Sequence, residues 1–179
     1  MDLKSFIEQT LDECKRRLYR TLQGLTPEEL RWRPGAEANS ISFMVWHVAR
    51  VEDRWLHRFA QDTTEVWQRD DWFQRCGLPE HETGVNYTAA QLASFPTVEL
   101  SPLQAYFDAV RQETLDYLRG VEAGELDVHP QRIPFPEVSK RPLPDDFTVG
   151  RMFRQLIGEE NQHLGQIAYV RGLQRGLDK

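Results

Sequence analysis

Glu159 and His163 stand four residues apart in a C-terminal segment whose apolar residues follow helical spacing. Positions four apart on an α-helix differ by about 40° around the axis, so both side chains project from one face. Leu156, Ile167 and Val170 indicate that this face is directed toward a core. An ionised carboxylate is costly to bury without a partner. Another group inside the protein must therefore compensate the charge.

A divalent metal ion is one way to compensate it, because a carboxylate and an imidazole one helical turn apart can both bind the ion. H-E-x-x-H zinc helices use the same spacing, although this segment has Glu159 in place of their first histidine. His47, which lies between Met44 and Val51 in a second helical stripe, is the candidate third ligand. Two histidines and one carboxylate would leave coordination positions open for water or substrate.

Ordinary structural roles compete with a metal site. A glutamate and a histidine four residues apart often form a local ion pair on a half-exposed face. A single histidine on an apolar stripe is often a core residue held by a hydrogen bond. The spacing alone leaves these alternatives open. It also leaves open whether Glu159 or the adjacent Glu160 lies on the apolar stripe.

Other polar residues are candidates for supporting roles. Glu160, Asn161 and Gln166 are candidates for hydrogen bonds that orient the metal ligands. No residue stands out as a general base, and the two candidates are Glu52 and Glu160. We expect the remaining histidines to be solvated: His57, His81 and His129.

Four long segments with helical periodicity must position these residues, namely residues 3–22, 41–59, 101–120 and 148–173. The expected cap of the second segment is Asn39 or Ser40, and that of the third is Ser101, which precedes a proline. The buried stripe expected in the first segment consists of Phe6, Leu11, Cys14, Leu18 and Leu22.

The connections carry most of the prolines. Residues 129–147 contain five prolines, which rule out a helix and allow at most an edge strand or an extended loop. Shorter helices are expected at residues 26–30, in the tryptophan-rich stretch that follows residue 65, and at residues 88–95. The pattern predicts an all-α fold, a four-helix bundle with long crossover connections, in a single domain that spans residues 1–179.

Composition narrows the function classes. The 179 residues carry a net charge of -6, which argues against a nucleic-acid partner because phosphate binding needs clustered Lys and Arg. No apolar run approaches the roughly 20 residues of a membrane helix. The N-terminus alternates charged and apolar residues, unlike a signal peptide, so we predict a cytoplasmic protein without a membrane partner. Cys14 and Cys76 are expected to be reduced and structural.

Three stretches together resemble the DinB-like superfamily: LTPEELRWRPGAEANSISFMVWHVARVEDRWL at residues 25–56, FTVGRMFRQLIG at 147–158 and EENQHLGQIAYVRGL at 159–173. The resemblance implies a DinB-type four-helix bundle that holds a divalent metal on three side chains. His47 matches the second-helix ligand, and His163 matches the histidine of an H-x-G-Q-I pattern. Glu159 matches the remaining ligand position, where many relatives have histidine and the maleylpyruvate isomerase branch has glutamate.

The resemblance further implies zinc or nickel as the metal and an S-transferase or isomerase activity that uses a low-molecular-weight thiol and a small electrophile. Catalytic residues beyond the ligands are not indicated. Trp67, Trp72 and Phe73 are candidates either for a wall of the electrophile pocket or for packing or a dimer surface. The alternatives are a non-catalytic metal-binding or interaction bundle and a metal-dependent hydrolase, and a homodimer is expected for either class.

Overall fold

The computed structural model describes residues 2–138, 143–144 and 146–176, and these residues form helices and loops without a strand. Eight α-helices occur in this part of the chain: α1 Leu3–Leu22, α2 Pro27–Arg31, α3 Ile41–Arg54, α4 Val66–Arg69, α5 Trp72–Cys76, α6 Ala89–Ser94, α7 Leu100–Gly120 and α8 Val149–Arg175. A π-helical segment, Trp55–Gln61, continues α3, and a 3-10 turn, Ala123–Asp127, follows α7. The predicted all-α fold is confirmed.

Side-chain caps explain where most helices begin. Ser40 and Thr148 accept a hydrogen bond from the third backbone N–H of α3 and α8, respectively. Thr26 and Glu29 form a reciprocal capping box around the proline that opens α2. The predicted cap at Ser101 is wrong, because α7 begins one residue earlier, at Leu100.

The four long helices form a bundle in which α1 packs on α7 and α8, and α3 packs on the same two helices. Helices α1 and α3 therefore lie across the bundle from each other, as do α7 and α8, so the connections between these pairs cross the bundle, as predicted. On α1 the buried residue of the first turns is Ile7, whereas the predicted Phe6 is 49% exposed. Both cysteines are buried free thiols. No helix in the described residues is long and apolar enough to cross a membrane.

A buried arginine lies at the centre of the bundle. The guanidinium of Arg111 on α7 donates two hydrogen bonds, of 2.9 and 2.8 Å, to the carboxylate of Glu52 on α3. It also donates to Glu160 on α8, at 2.8 Å, and to the backbone carbonyl of Leu11 on α1, at 2.6 Å. One side chain of α7 thus binds groups on each of the other three long helices. Burial raises the pKa of Glu160, which shares this single cation with Glu52.

A second buried polar network contradicts one sequence expectation. His57, predicted to be solvated, is 1% exposed and lies in the π-helical segment. Its Nδ1 is 2.8 Å from a carboxylate oxygen of Asp53, and its Nε2 is 3.0 Å from a carboxylate oxygen of Glu113. Burial lowers the pKa of His57, but the bonds to the two carboxylates outweigh burial, and the pKa is raised overall.

The Arg111 network predicts a large difference between two arginines of α7. Arg111→Ala leaves two buried carboxylates without their cation, which typically costs about 3–5 kcal/mol of folding free energy. Arg119→Ala removes an exposed arginine that pairs with Glu8 and Asp116, so we expect a much smaller loss of stability, because solvent screens exposed ion pairs. Urea unfolding followed by circular dichroism measures both values. Equal destabilisation by the two substitutions would contradict the central role of Arg111.

Candidate metal centre

The imidazole of His47 is fixed in both position and tautomer. Its ring stacks on Phe43, one turn earlier on α3, with the ring centroids 5.7 Å apart and the planes within 6° of parallel. Its Nδ1 lies 2.6 Å from the backbone carbonyl oxygen of Thr83. A carbonyl oxygen can only accept, so the proton is on Nδ1. In the neutral ring, Nε2 therefore carries the lone pair that a metal ion requires.

The loop that supplies the Thr83 carbonyl lies against α3 because the next residue is glycine. Gly84 has a left-handed φ of +79°, and a Cβ at this position would lie 2.8 Å from Phe43 and 2.9 Å from Trp46. Only glycine allows the loop to approach α3 this closely. The buried Arg50 also holds the loop, since its Nε donates to the carbonyl of Glu82 at 3.1 Å.

Glu159 and His163 face His47 from α8. One carboxylate oxygen of Glu159 is 3.1 Å from Nε2 of His163 and 3.4 Å from Nε2 of His47. The candidate ligand atoms of the three residues all lie within 4.8 Å of one another. Ligand atoms that are each about 2.1 Å from a tetrahedral zinc ion lie about 3.4 Å apart. The spacing of the three side chains therefore fits a divalent ion.

The electrostatics of the three side chains also fit a cation between them. Hydrogen bonding to His163 makes the largest contribution, and hydrogen bonding to His47 the next, to lowering the pKa of Glu159 to about 2. The carboxylate is therefore ionised at neutral pH. Because Nδ1 already carries a proton, Nε2 of His47 can donate to this carboxylate oxygen only in the imidazolium form. In the neutral ring, the Nε2 lone pair faces the oxygen instead. Either a proton or a metal ion at this point would remove the repulsion.

A cavity of about 610 Å³ opens beside the three side chains and is lined by them. The loop around Gly84 and part of the connection between α7 and α8 complete its walls. Ligand pockets in proteins commonly have volumes of this order. The remaining lining residues are Asn39, Phe43, Val51, Trp55, Gly84, Val85, Asn86, Tyr87, Ile133, Pro134, Phe135, Val138, Leu143 and Gln155.

The structure brings together the three residues that the sequence analysis singled out as ligands, but it places most of the supporting candidates elsewhere. Glu52 and Glu160 bind Arg111 inside the bundle and do not line the cavity, so neither is a general base there. Asn161 donates to the sulfur of Cys14 and to a backbone carbonyl of α8. Gln166 is exposed and does not line the cavity.

The other aromatic and histidine candidates have structural positions. Trp67 is fully buried between Arg50 and Tyr106, and Trp72 packs on the same tyrosine. Phe73 packs against the same core, so the packing alternative describes all three aromatic residues better than the pocket alternative. His81 is exposed, as predicted, whereas the Nδ1 of the partly buried His129 lies 2.6 Å from the carbonyl oxygen of Phe147.

The sequence patterns did not predict two features that support the site, the Thr83 carbonyl and the buried Arg111. The Thr83 carbonyl belongs to the backbone and has no side-chain signature, although Gly84 marks a place where the chain can approach another element closely. Arg111 has a readable signal, because it follows Phe107 by four residues on the apolar stripe of α7. A cation on such a stripe indicates buried carboxylates on neighbouring helices.

Comparisons with known proteins agree with this architecture. A family model described as the DinB superfamily matches residues 10–167. A crystal structure described as the conserved protein of a locus from Enterococcus faecalis is similar over 97% of each chain, with a TM-score of 0.80 and 22% sequence identity. At this identity the likeness concerns the fold alone. A search of curated proteins gave no match.

The loop geometry predicts an effect of Gly84→Ala on the tautomer of His47. The added methyl group must move the loop away from Phe43, so the Thr83 carbonyl loses its hydrogen bond to Nδ1 and the Nε2-protonated form gains population. Gly77→Ala is the matched control, since Gly77 also has a positive φ, +63°, but its Cβ would meet open space. Nitrogen-15 NMR of histidine-labelled protein reports the tautomer. An unchanged His47 spectrum in Gly84→Ala would contradict the prediction.

Proposed function

Because the chain belongs to the DinB superfamily, we propose that His47, Glu159 and His163 bind one divalent metal ion. The observation that carries the proposal is the convergence of two imidazole nitrogens and one carboxylate oxygen at the wall of a cavity. The hydrogen bond from His47 to Thr83 supports it, since ligand histidines commonly donate their second ring N–H to a carbonyl or carboxylate group.

Zinc or nickel is the proposed metal. Imidazole and carboxylate ligands suit several divalent ions, and zinc and nickel are the two expected from the resemblance to the family. Three protein ligands with further positions available are typical of catalytic rather than structural zinc sites. Structural sites are usually closed by a fourth side chain, and among the described residues no fourth His, Cys, Asp or Glu joins this cluster.

We propose that the activity is the transfer of a small-molecule thiol to an electrophile, or an isomerisation that depends on such a thiol. A bound divalent ion favours the thiolate form of a thiol at neutral pH. The side chains of the protein hold the ligand atoms in place at the wall of the cavity. The carboxylate of Glu159 is ionised, and the proton on Nδ1 of His47 leaves the lone pair on Nε2 available in the neutral ring. Both atoms can therefore coordinate the cation.

A second candidate function is a non-catalytic metal-binding or interaction bundle, in which the ion neutralises Glu159 and stiffens the contact between α3 and α8. A metal-dependent hydrolase is the third. A cavity of about 610 Å³ beside the ligands favours the transferase over the non-catalytic bundle, which has no use for it. For any of these functions we propose a homodimer, which is supported by the exposed apolar pair Tyr169 and Leu173, one turn apart on α8.

Metal analysis can discriminate between the two adjacent glutamates of α8. Glu159→Gln removes the ionised ligand, so we expect zinc affinity to fall by at least about tenfold. Glu160→Gln leaves the three ligands intact, and its amide oxygen can still accept from Arg111, so zinc should bind at one ion per chain as in the wild type. Elemental analysis and competition with a chromogenic chelator measure both. Equal affinities in the two variants, or no saturable zinc binding by the wild type, would contradict the site.

Conjugation of thiols to monobromobimane tests catalysis separately. We expect the metal-loaded wild type to accelerate conjugation for at least one of several small thiols, and His47→Ala to lose most of that acceleration. His81→Ala is the control, because His81 is exposed in a loop and lies outside the ligand set. Equal rates for the wild type and His47→Ala, when the wild type has bound metal, would favour the non-catalytic bundle.

A further inference from the structure

The cavity extends along two facing helices, α3 and α8, from the three candidate metal ligands. Val51 on α3 and Trp55, the first residue of the π-helical segment that continues α3, follow His47 at intervals of four residues, and all three side chains line the cavity. On the antiparallel α8, Gln155 precedes Glu159 by one turn and also lines the cavity. The three ligand side chains thus form one part of the wall, and apolar side chains extend from them along α3.

Residues 132–135, which contribute to another wall, are held in place by one hydrogen bond to their backbone and one from a side chain. Nε of Arg54 donates to the carbonyl of Pro134 at 2.9 Å, and the same guanidinium lies over the ring of Phe135, 5.7 Å from its centroid. Nη1 of Arg132 donates to the carbonyl of Phe59 at 2.9 Å. The cavity between this segment and α3 is therefore formed before a ligand binds, which reduces the entropy lost on binding.

Trp55 provides an aromatic surface with a fixed orientation. Its ring stacks on Phe147 with the centroids 5.1 Å apart and meets the edge of Phe135 at 5.9 Å. Both Trp55 and Phe135 also line the cavity, as do Val51 and Leu143. A ring or an alkyl chain placed here would bury its surface against aromatic and branched side chains, the contact that favours apolar ligands.

Charge on a ligand would be unfavourable at the same walls. None of the described residues that line the cavity is a lysine or an arginine, and Glu159 is the one carboxylate among them. An anionic group on the body of the ligand would lose its hydration against apolar side chains.

We propose that the cavity takes a small molecule with an uncharged, apolar body and a single donor atom at the end formed by His47, Glu159 and His163. The inference rests on the proposed function, because the donor atom is the one that completes the metal coordination. Val51 and Trp55 determine the specificity, since they contact the body of the ligand and do not hold the metal.

Three thiols separate the effect of the apolar body from the effect of charge. Phenylmethanethiol has an apolar ring, 2-mercaptoethanol is uncharged and lacks such a body, and mercaptosuccinate carries two carboxylates. Visible absorption of the cobalt-loaded protein detects binding of sulfur to the ion, and calorimetry gives the dissociation constants. We expect phenylmethanethiol to bind at least about tenfold more tightly than either other thiol, because only its ring buries apolar surface.

Two valines of equal burial provide the matched variants. Val51 and Val121 are each 5% exposed in the same core cluster, but only Val51 lines the cavity. Val51→Thr keeps the shape of the wall but replaces a methyl group with a hydroxyl group, so phenylmethanethiol should bind about fivefold more weakly at unchanged cobalt affinity. Val121→Thr should leave both constants unchanged. Thermal unfolding measures the stability that the two variants lose.

The outcomes distinguish the inference from the function on which it rests. If the wild type does not bind cobalt, the metal site itself is wrong. If cobalt binds but mercaptosuccinate or 2-mercaptoethanol binds as tightly as phenylmethanethiol, the metal site stands and the inference of an apolar ligand is overturned. The inference is also overturned if both threonine variants weaken phenylmethanethiol equally, or if neither does.

Discussion

The buried guanidinium of Arg111 determines how the bundle presents its ligands. It binds Glu52 on α3, Glu160 on α8 and a backbone carbonyl on α1, so the four long helices share one cation. Adjacent residues on a helix point about 100° apart. With Glu160 directed to Arg111, Glu159 is therefore turned toward α3 and His47. One buried ion pair thus sets the rotation of α8 that brings its two ligands to the cavity.

Helix α3 organises the other side of the same site. Its arginines Arg50 and Arg54, one turn apart, each donate Nε to a backbone carbonyl of a different segment that contributes to the cavity wall. Arg50 binds the carbonyl of Glu82, and the carbonyl of the next residue, Thr83, accepts a hydrogen bond from Nδ1 of His47. The buried Glu65 lies within 3.7 Å of both guanidinium groups and stabilises their charge. Helix α3 therefore positions His47, the Thr83 carbonyl that binds it, and the two segments that complete the cavity walls.

Much of this arrangement follows from local sequence patterns. The long helices follow from apolar periodicity and from caps such as Ser40 and Thr148, because these signals lie within a few residues of the structure they determine. The pairing of Glu159 with His163 follows from a spacing of four residues. The spacing does not determine which of Glu159 and Glu160 faces His47. That depends on Arg111, which binds Glu160 and lies 49 residues away in the chain.

Two residues, His57 and Phe6, depart from the sequence predictions for the same physical reason. The prediction that His57 is solvated is wrong because Asp53 and Glu113 surround it with compensating carboxylates from two helices. Phe6 and Ile7 are adjacent apolar residues, and only packing against the other helices decides which is buried. Periodicity defines which residues share a face, whereas the depth of burial depends on partners that are distant in sequence.

The central claim is that His47, Glu159 and His163 together bind a divalent ion, and anomalous diffraction from a zinc-loaded crystal tests it most directly. Data collected on both sides of the zinc absorption edge locate the ion without reference to activity. The account predicts one anomalous peak per chain, about 2.1 Å from Nε2 of each histidine and from a carboxylate oxygen of Glu159. A zinc-loaded crystal with no peak among these three side chains, or with its main peak at another histidine, would contradict it.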